Sequence, residues 1–213
     1  MNKKREIASS VKDESLIEKR REQMIRGAVT LFKEKGFHRT TTREIAKAAG
    51  FSIGTLYEYI RTKEDVLYLV CDSIYDEVNT RLDRLDIEQG SINVLVTAIE
   101  HYYTLIDDMQ DEFVVMYQES KSLPKDALSY VLNKEIEMVA LFERLLTQCV
   151  DNGEIKMTPK EVVMASHHLF VQGQMWAFRR WALRDFTIQE FIDMQTKFLL
   201  QGMAGENISI QGA

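Results

Sequence analysis

The chain has 213 residues, of which 45% are hydrophobic and 28% are charged. This composition is that of an ordinary globular protein and excludes a disordered or fibrous chain. No run of about 18 uncharged apolar residues occurs, and no apolar core follows the basic N-terminus, so we expect neither a membrane span nor a secretory signal. The two cysteines, Cys71 and Cys149, lie far apart. Lone thiols are typical of a reducing compartment, so we expect the protein in the cytoplasm.

The charge is distributed unevenly along the chain. Residues 1–66 hold 15 Lys and Arg against 10 Asp and Glu, whereas the remainder holds 12 against 23. A basic first third on an acidic body indicates that one end meets a polyanion such as nucleic acid. A solvated helix face is the alternative.

Hydrophobic periodicity predicts helices along the whole chain and no strand, so the expected fold class is all-α. Gly36 and Gly153 are placed to end helices. Thr158 to Glu161 and Thr187 to Glu190 have the spacing of capping boxes. Beyond them, the tail 205–213 is expected to be frayed. In chain order, the nine predicted helices span about 14–35, 42–49, 53–59, 63–85, 91–109, 111–120, 125–152, 159–183 and 188–203.

The second and third predicted helices are short and flank Gly50, a residue that permits a positive φ in a tight turn. Phe51 would anchor this turn, and Ser52 can cap the helix that follows. Two short helices about a tight turn describe a helix-turn-helix, whose second helix enters the major groove of DNA. An ordinary helical corner with its tyrosines in the core is the alternative.

Several side chains of this region suit a phosphate backbone. Gly54 lets the helix approach DNA closely, and hydroxyl groups bind phosphate oxygens well. Lys63 begins the next helix, where its charge and the free backbone N–H groups converge on an anion. The hydroxyl-bearing candidates are Thr55, Tyr57 and Tyr59.

The segment from Phe37 to Leu67 closely resembles the DNA-binding region of tetracycline-repressor (TetR) family regulators. It contains TTTREIAKAAGFSIGTLYEYI and KEDVL, and the match covers roughly residues 18–80. One departure is Ile60, where the family more often has Phe. The resemblance implies a homodimer with a three-helix DNA-binding domain, 1–66, including an arm of about 1–14. It also implies a helical domain, 67–213, that binds a small effector and dimerises through its last two long helices.

The resemblance also implies roles for individual residues. Thr42 should touch phosphate, and Arg43 should reach a base or a phosphate. Since Arg43 and Lys47 are the only long basic donors near the recognition helix, part of the specificity is expected to lie in DNA shape. The leading end of that helix holds Ser52, Ile53, Gly54 and Thr55, and the residues expected to hold the DNA backbone are Tyr57, Tyr59 and Lys63.

Two further basic groups, Lys3 to Arg5 and Lys19 to Arg21, are candidates for non-specific phosphate contacts. A solvated tail is the alternative for the arm.

The second domain is expected to hold a mostly apolar pocket with a few polar groups among its central helices. Core packing is the alternative for every candidate lining residue. These candidates are Tyr102, Tyr103, Ile106, Phe113, Met116, Tyr117, Leu141, Leu145, Phe170, Gln174 and Phe178.

Three arginines, Arg179, Arg180 and Arg184, lie near Trp176 and Trp181. One interpretation is an anion site above an apolar cavity, as a fatty acyl-CoA would require. Several family regulators of fatty-acid catabolism use that effector class, and the C-terminal half is similar to them. The alternatives are arginines favoured by a helix C-terminus, tryptophans packed in the dimer interface, and a drug-like or aromatic effector.

No catalytic motif, metal-ligand spacing or phosphate loop occurs in the sequence, so we expect no enzyme, no cofactor and no metal ion. The function predicted from the sequence is a homodimeric transcriptional repressor that leaves a partly palindromic operator on binding a hydrophobic effector such as a fatty acyl-CoA. The alternatives are a DNA-bound adaptor that acts through a protein partner without a small-molecule switch, and a lipid or acyl-CoA carrier.

Overall fold

The computed structural model describes residues 5–82 and 90–203. These residues form nine α-helices, a short 3₁₀ turn at Ser120–Ser122 and no strand, so the all-α fold is confirmed. The helices are α1 (Glu14–Lys35), α2 (Thr42–Ala48), α3 (Ile53–Tyr57), α4 (Lys63–Leu82), α5 (Ile92–Asp108), α6 (Gln110–Glu119), α7 (Lys125–Asp151), α8 (Pro159–Phe178) and α9 (Ile188–Met203).

Side-chain caps fix where several helices begin. Asp13 accepts a hydrogen bond from the Leu16 N–H and caps α1. Thr158 and Glu161 form a capping box at the start of α8, with Pro159 in the first helical position. In the predicted Thr187–Glu190 box, the Glu190 carboxylate accepts from the Thr187 N–H, and the Thr187 hydroxyl accepts from the Glu190 N–H. Because each cap satisfies N–H groups that have no partner inside the helix, the sequence predicts these helix starts well.

The ends of two helices differ from the prediction. The third helix ends at Tyr57 instead of about residue 59. The eighth ends at Phe178 instead of about residue 183, because the chain turns back so that the N–H groups of Ala182 and Leu183 both bond the Arg179 carbonyl. The predicted end of α4 near residue 85 and the predicted frayed tail lie outside the described residues.

The chain divides into two compact units. The first takes in the described residues up to Glu77 together with Met109–Glu135. In its core, α1 packs closely against α2, since a Cβ on Gly27 would lie 3.0 Å from the Cβ of Ala48. The predicted domain boundary at 66/67 stays a prediction.

The second unit comprises Val78–Asp108 and the described residues from Ile136 onward. Its helices α5 and α8 meet at Gly173, where a Cβ would lie 2.8 Å from the side chains of Tyr103 and Ile106. The Tyr102 ring stacks on Phe170 with centroids 5.7 Å apart. Both tyrosine hydroxyls donate to carbonyls of α8, at 3.2 Å to that of Phe170 and 3.1 Å to that of Leu169. The aromatic core of this unit is therefore fixed by hydrogen bonds as well as by packing.

Both cysteines are free thiols buried in helices. Burial raises the pKa of Cys71 above its usual range and that of Cys149 to about 11. Within 5–82 and 90–203, no helix is long and apolar enough to cross a membrane.

Candidate nucleic-acid interface

The turn between α2 and α3 has the geometry of a helix-turn-helix. Gly50 adopts a φ of 79°, which confirms the expected glycine turn. The Phe51 N–H returns to the Ala46 carbonyl at 2.8 Å and tightens the connection. Ile45 and Leu56, one from each helix, are fully buried. The two helices are thus held by core packing on one side and leave the other side free for a ligand.

The start of α2 is fixed by a capping box between Thr41 and Glu44. The Lys35 ammonium donates to the Glu44 carboxylate at 2.5 Å. This hydrogen bond, followed by those from the backbone and side chain of Thr41, lowers the pKa of Glu44 to about 2. The carboxylate is therefore ionised at neutral pH and orients the first turn of α2, on which Thr42 and Arg43 lie.

The leading end of α3 lies at the surface. The Ser52 Oγ accepts from the Thr55 N–H at 3.0 Å and caps the helix. Ser52 and Gly54 are exposed, and Ile53 and Thr55 are half-buried. A Cβ on Gly54 would meet only the Ser52 Oγ, at 3.6 Å, so the backbone here is open to close approach.

The structure brings the first turn of α2 to the last residue of α3. The hydroxyls of Thr42 and Tyr57 share a hydrogen bond of 3.1 Å. Tyr57 is 51% exposed at the end of α3. Arg43 and Lys47 are exposed on α2. The two helices therefore expose both hydroxyls and cations, the groups that bind phosphate oxygens.

Two residues predicted to contact DNA are not free on this surface: Tyr59 is buried, and the Lys63 ammonium is bonded within the protein. Tyr59 is only 3% exposed. The Lys63 ammonium donates to the carbonyls of Phe37 at 2.6 Å, Thr40 at 2.8 Å and His38 at 3.4 Å. These contacts use its three protons and give Lys63 a structural role in the turn before α2. DNA contact by either residue stays a prediction.

The arginines of the predicted basic groups have partners within the protein. Arg5 pairs with Asp65 at 3.1 Å, and Arg21 donates to the Ile7 carbonyl at 2.7 Å. Arg20 lies over the Phe51 ring, 4.9 Å from its centroid. From Arg5 onward the arm is therefore not a solvated tail. Lys19 is exposed, and Lys3 and Lys4 lie outside the described residues.

The turn before α2 is also held by a contact that the sequence does not predict. The Glu119 carboxylate, at the end of α6, accepts a hydrogen bond from the Phe37 N–H at 3.1 Å. Lys33 and Asp111 form an ion pair of 2.6 Å between α1 and α6. The paired residues are about 80 positions apart in the chain, and no local spacing signals such a pairing.

The candidate effector residues fall into both units. Phe113 and Met116 are buried in the first unit, and the Tyr75 hydroxyl donates to the Met116 Sδ at 3.4 Å. Tyr117 is 69% exposed. The second unit buries Tyr103, Phe170 and Gln174, and Phe178 is half-buried there. Their role in effector binding stays a prediction.

The tryptophan and arginine cluster lies around the end of α8. Trp176 is buried and donates its Nε1–H to Asp107 at 2.8 Å. The Arg180 guanidinium lies 4.4 Å from the Trp176 ring centroid and donates to the Leu183 carbonyl at 2.6 Å, so it is engaged within the protein. Arg179 and Arg184 are exposed, and Trp181, beside Arg179, is 72% exposed.

Across the part of the chain that the structure describes, no group of three His, Cys, Asp or Glu side chains is arranged to hold a metal ion.

These features define a helix-turn-helix protein with a separate helical unit. Residues 24–68 match the family model "Bacterial regulatory proteins, tetR family", and residues 89–176 match the model "Tetracyclin repressor-like, C-terminal domain". The chain belongs to the TetR family, and it is a DNA-binding transcriptional regulator and not an enzyme.

Characterised relatives match most of the chain. The transcriptional regulator HbdR of Aromatoleum sp. (strain CIB) is 28% identical over 195 residues, which cover 91% of this chain and 84% of HbdR. The transcriptional repressor KstR2 of Mycobacterium tuberculosis is 26% identical over 78% of this chain and 82% of its own length.

Solved structures share the fold at low identity. A tetR family regulatory protein from Rhodococcus RHA1 has a TM-score of 0.77 at 19% identity, with 86% of this chain and 96% of that chain covered. AibR, solved in complex with isovaleryl coenzyme A and operator DNA, has a TM-score of 0.71 at 18% identity over 84% of this chain and 97% of its own.

Proposed function

We propose that the protein is a homodimeric repressor that binds a partly palindromic operator and releases it when a hydrophobic effector, such as a fatty acyl-CoA, binds its second unit. The operator contacts would come from Thr42, Arg43, Lys47, Ser52, Ile53, Gly54, Thr55 and Tyr57. KstR2 is named a repressor, and AibR has been solved in complex with isovaleryl coenzyme A and operator DNA, which supports repression and acyl-CoA binding by this protein.

The effector proposal rests on the Gln174 side chain of α8, which is buried and has no hydrogen-bond partner for its amide among the described residues. This side chain is 7% exposed, and no hydrogen bond to its amide is found among residues 5–82 and 90–203. An amide with no hydrogen bond inside the protein keeps its two N–H donors and its carbonyl oxygen available for a ligand.

The neighbours of Gln174 indicate the class of ligand. Phe170 and Phe178 lie four residues before and after it, and this spacing puts all three on one side of the helix. An apolar side with a single amide suits a hydrocarbon chain that carries one carbonyl, as in an acyl thioester. Arg179 and Arg184 are exposed beyond the end of α8 and are candidates for the phosphates of coenzyme A.

The proposal is tested with an operator duplex selected by the protein from random-sequence DNA. We would follow its binding by fluorescence anisotropy during titration with isovaleryl-, octanoyl- and palmitoyl-CoA, with coenzyme A and the free fatty acids as controls. Native mass spectrometry of the purified protein would report subunit number and any co-purified ligand. We expect an acyl-CoA to release the duplex and coenzyme A alone to have no effect.

A matched pair of variants tests the role of the amide. Gln174→Leu should bind the duplex like the parent but need at least tenfold more acyl-CoA for release. Gln201→Leu, at an exposed position of α9, should respond like the parent. If no acyl-CoA or fatty acid changes DNA binding, the effector proposal fails while the DNA-binding assignment stands, and an adaptor function becomes the better explanation.

A further inference from the structure

The recognition helix α3 has only five residues, Ile53–Tyr57. A helix of little more than one turn is not stable on its own, because nucleation costs more than one turn of hydrogen bonds returns. Its terminal carbonyls also need partners from outside the helix. The contacts at its C-terminal end therefore add to the packing of Leu56 and the Ser52 cap in holding α3.

The N-terminal arm supplies those contacts. The Ser10 N–H donates to the carbonyl of Glu58, the residue that ends α3, at 2.9 Å. The Ser9 hydroxyl donates to the same carbonyl at 2.9 Å, and the Ser10 hydroxyl reaches it at 3.3 Å. Two adjacent residues of the arm thus bond one carbonyl that lies 48 positions further along the chain.

The arm is itself anchored at two points. The Ile7 side chain is buried, and its carbonyl accepts from Arg21 at 2.7 Å. The same guanidinium reaches the Tyr59 carbonyl at 3.5 Å, so Arg21 joins the arm to the residues that follow α3.

The second anchor is Arg5. Its backbone N–H donates to the Tyr68 hydroxyl at 3.0 Å, and its guanidinium pairs with the buried Asp65 at 3.1 Å. Asp65 also accepts from the N–H groups of Arg61 and Thr62, both at 2.9 Å. One carboxylate therefore fixes both the arm and the loop from α3 to α4.

We propose that residues 5–10 are a positioning element for DNA recognition: they hold α3 by its C-terminal end and raise operator affinity without contacting DNA. This inference goes beyond the proposed effector response and rests only on DNA binding by α3. It assigns Ser9, Ser10 and Arg5 of the arm a role that depends on their bonds within the protein and not on their charge.

The first test compares Ser10→Pro, which removes the N–H donor, with Ser10→Ala, which keeps it. Amide hydrogen exchange by NMR, without DNA or effector, should be about tenfold faster at residues 56–60 in Ser10→Pro and close to the parent in Ser10→Ala. Binding to the selected operator duplex should weaken about tenfold in Ser10→Pro alone. Because the exchange readout involves no ligand, its result is independent of the effector proposal.

The salt dependence of binding separates this role from a direct phosphate contact. A lost phosphate contact lowers the slope of log affinity against log salt by about 0.9. We expect Ser10→Pro to keep the parent slope. A reduced slope, or parent-like exchange and binding, in Ser10→Pro would overturn the proposal.

A deletion of residues 2–10 provides a second test in case the Ser10→Pro variant does not fold. Thermal unfolding should show a folded protein with a lowered transition, because the deletion removes the buried Ile7 side chain and the Arg5 partner of Asp65, while α1 and its cap at Asp13 remain. Fast exchange at residues 56–60 should recur in this deletion. Parent-like exchange in the deletion would overturn the proposal even if Ser10→Pro failed to fold.

Discussion

Among single side-chain groups, the Tyr57 hydroxyl links the structure most directly to DNA binding. It bonds Thr42 and is exposed on the polar surface of α2 and α3. Tyr57→Phe should weaken operator binding about fivefold, the equivalent of one net hydrogen bond, and should leave the salt slope unchanged because no charge is lost. Anisotropy titrations at several salt concentrations measure both quantities.

Tyr117→Phe is the matched control, since this exposed tyrosine lies on α6 and not on the candidate interface. It should bind like the parent. Equal affinities for the parent and Tyr57→Phe would remove the hydroxyl from the interface.

The ionisation of Glu44 should make the free energy of unfolding depend on pH between 4.5 and about 2. The bonds from Lys35 and Thr41 lower its pKa from 4.5 to about 2 in the folded protein. A carboxylate with a lowered pKa stabilises the fold above its unfolded pKa, and this contribution is lost as pH falls from 4.5 towards 2. Urea unfolding should therefore show Glu44→Gln less stable than the parent at pH 6, with the difference shrinking at pH 3.

The outcome that contradicts this prediction is a difference between parent and Glu44→Gln that is the same at both pH values. Glu161→Gln, which removes the acid of the α8 capping box, is an informative comparison because the pKa of Glu161 is also lowered by its cap.

The sequence does not show whether a long cationic side chain binds DNA or a group within the protein. Arg5, Arg21 and Lys63 look like DNA ligands by residue type, yet all three bond groups within the protein. Their side chains have many rotamers, and the partners that select one are distant in the chain. Short side chains behave differently: Ser52 caps α3 as expected, because a cap depends only on residues three positions away.

At the scale of elements, α6 holds the turn that precedes α2. The carboxylate of Glu119 accepts from the Phe37 N–H, and Lys63 bonds the Phe37 carbonyl from the opposite side. Glu119→Ala should speed amide exchange at Phe37 and weaken operator binding several-fold, because the first turn of α2 follows directly. Glu119→Gln keeps a carbonyl oxygen as acceptor and should recover most of the affinity.

NMR hydrogen exchange supplies an internal reference for this test. The N–H of Gly36 bonds the Phe32 carbonyl and should exchange at the parent rate in both variants. If Phe37 exchange is unchanged in Glu119→Ala, the contact with α6 does not hold the turn.

The helices themselves follow closely from the sequence, and the exceptions have a physical reason. The bounds of α1 are those that periodicity and Gly36 predict. The overestimated length of α8 comes from Arg179 to Leu183, residues that suit a helix but lie in turns closed on the Arg179 carbonyl. Periodicity also cannot show which helices pack together, so the contact of α6 with α1 became visible only in the structure.

At the scale of the whole molecule, the proposed dimer needs an apolar surface on the last two helices. Met164 and Val171 on α8 and Phe198 on α9 are each more than half exposed in the single chain. Val171→Arg should place an unpaired charge in the interface and raise the dimer dissociation constant at least 100-fold, equivalent to about 3 kcal/mol. Analytical ultracentrifugation over a concentration series measures this constant.

Leu132→Arg, at an exposed apolar position of α7, is the control and should remain dimeric. The monomeric Val171→Arg variant should also lose most of its operator affinity, because one subunit contacts only one half-site. A Val171→Arg protein that is still dimeric would place the interface elsewhere.

The burial of both cysteines has a practical consequence. Because Cys71 and Cys149 are enclosed and their pKa values are raised, neither presents a reactive thiolate near neutral pH. A cysteine introduced at an exposed position should therefore take a fluorophore or spin label selectively in the native protein. Distances between labels could then be followed in solution while operator or effector is added, without first removing the natural thiols.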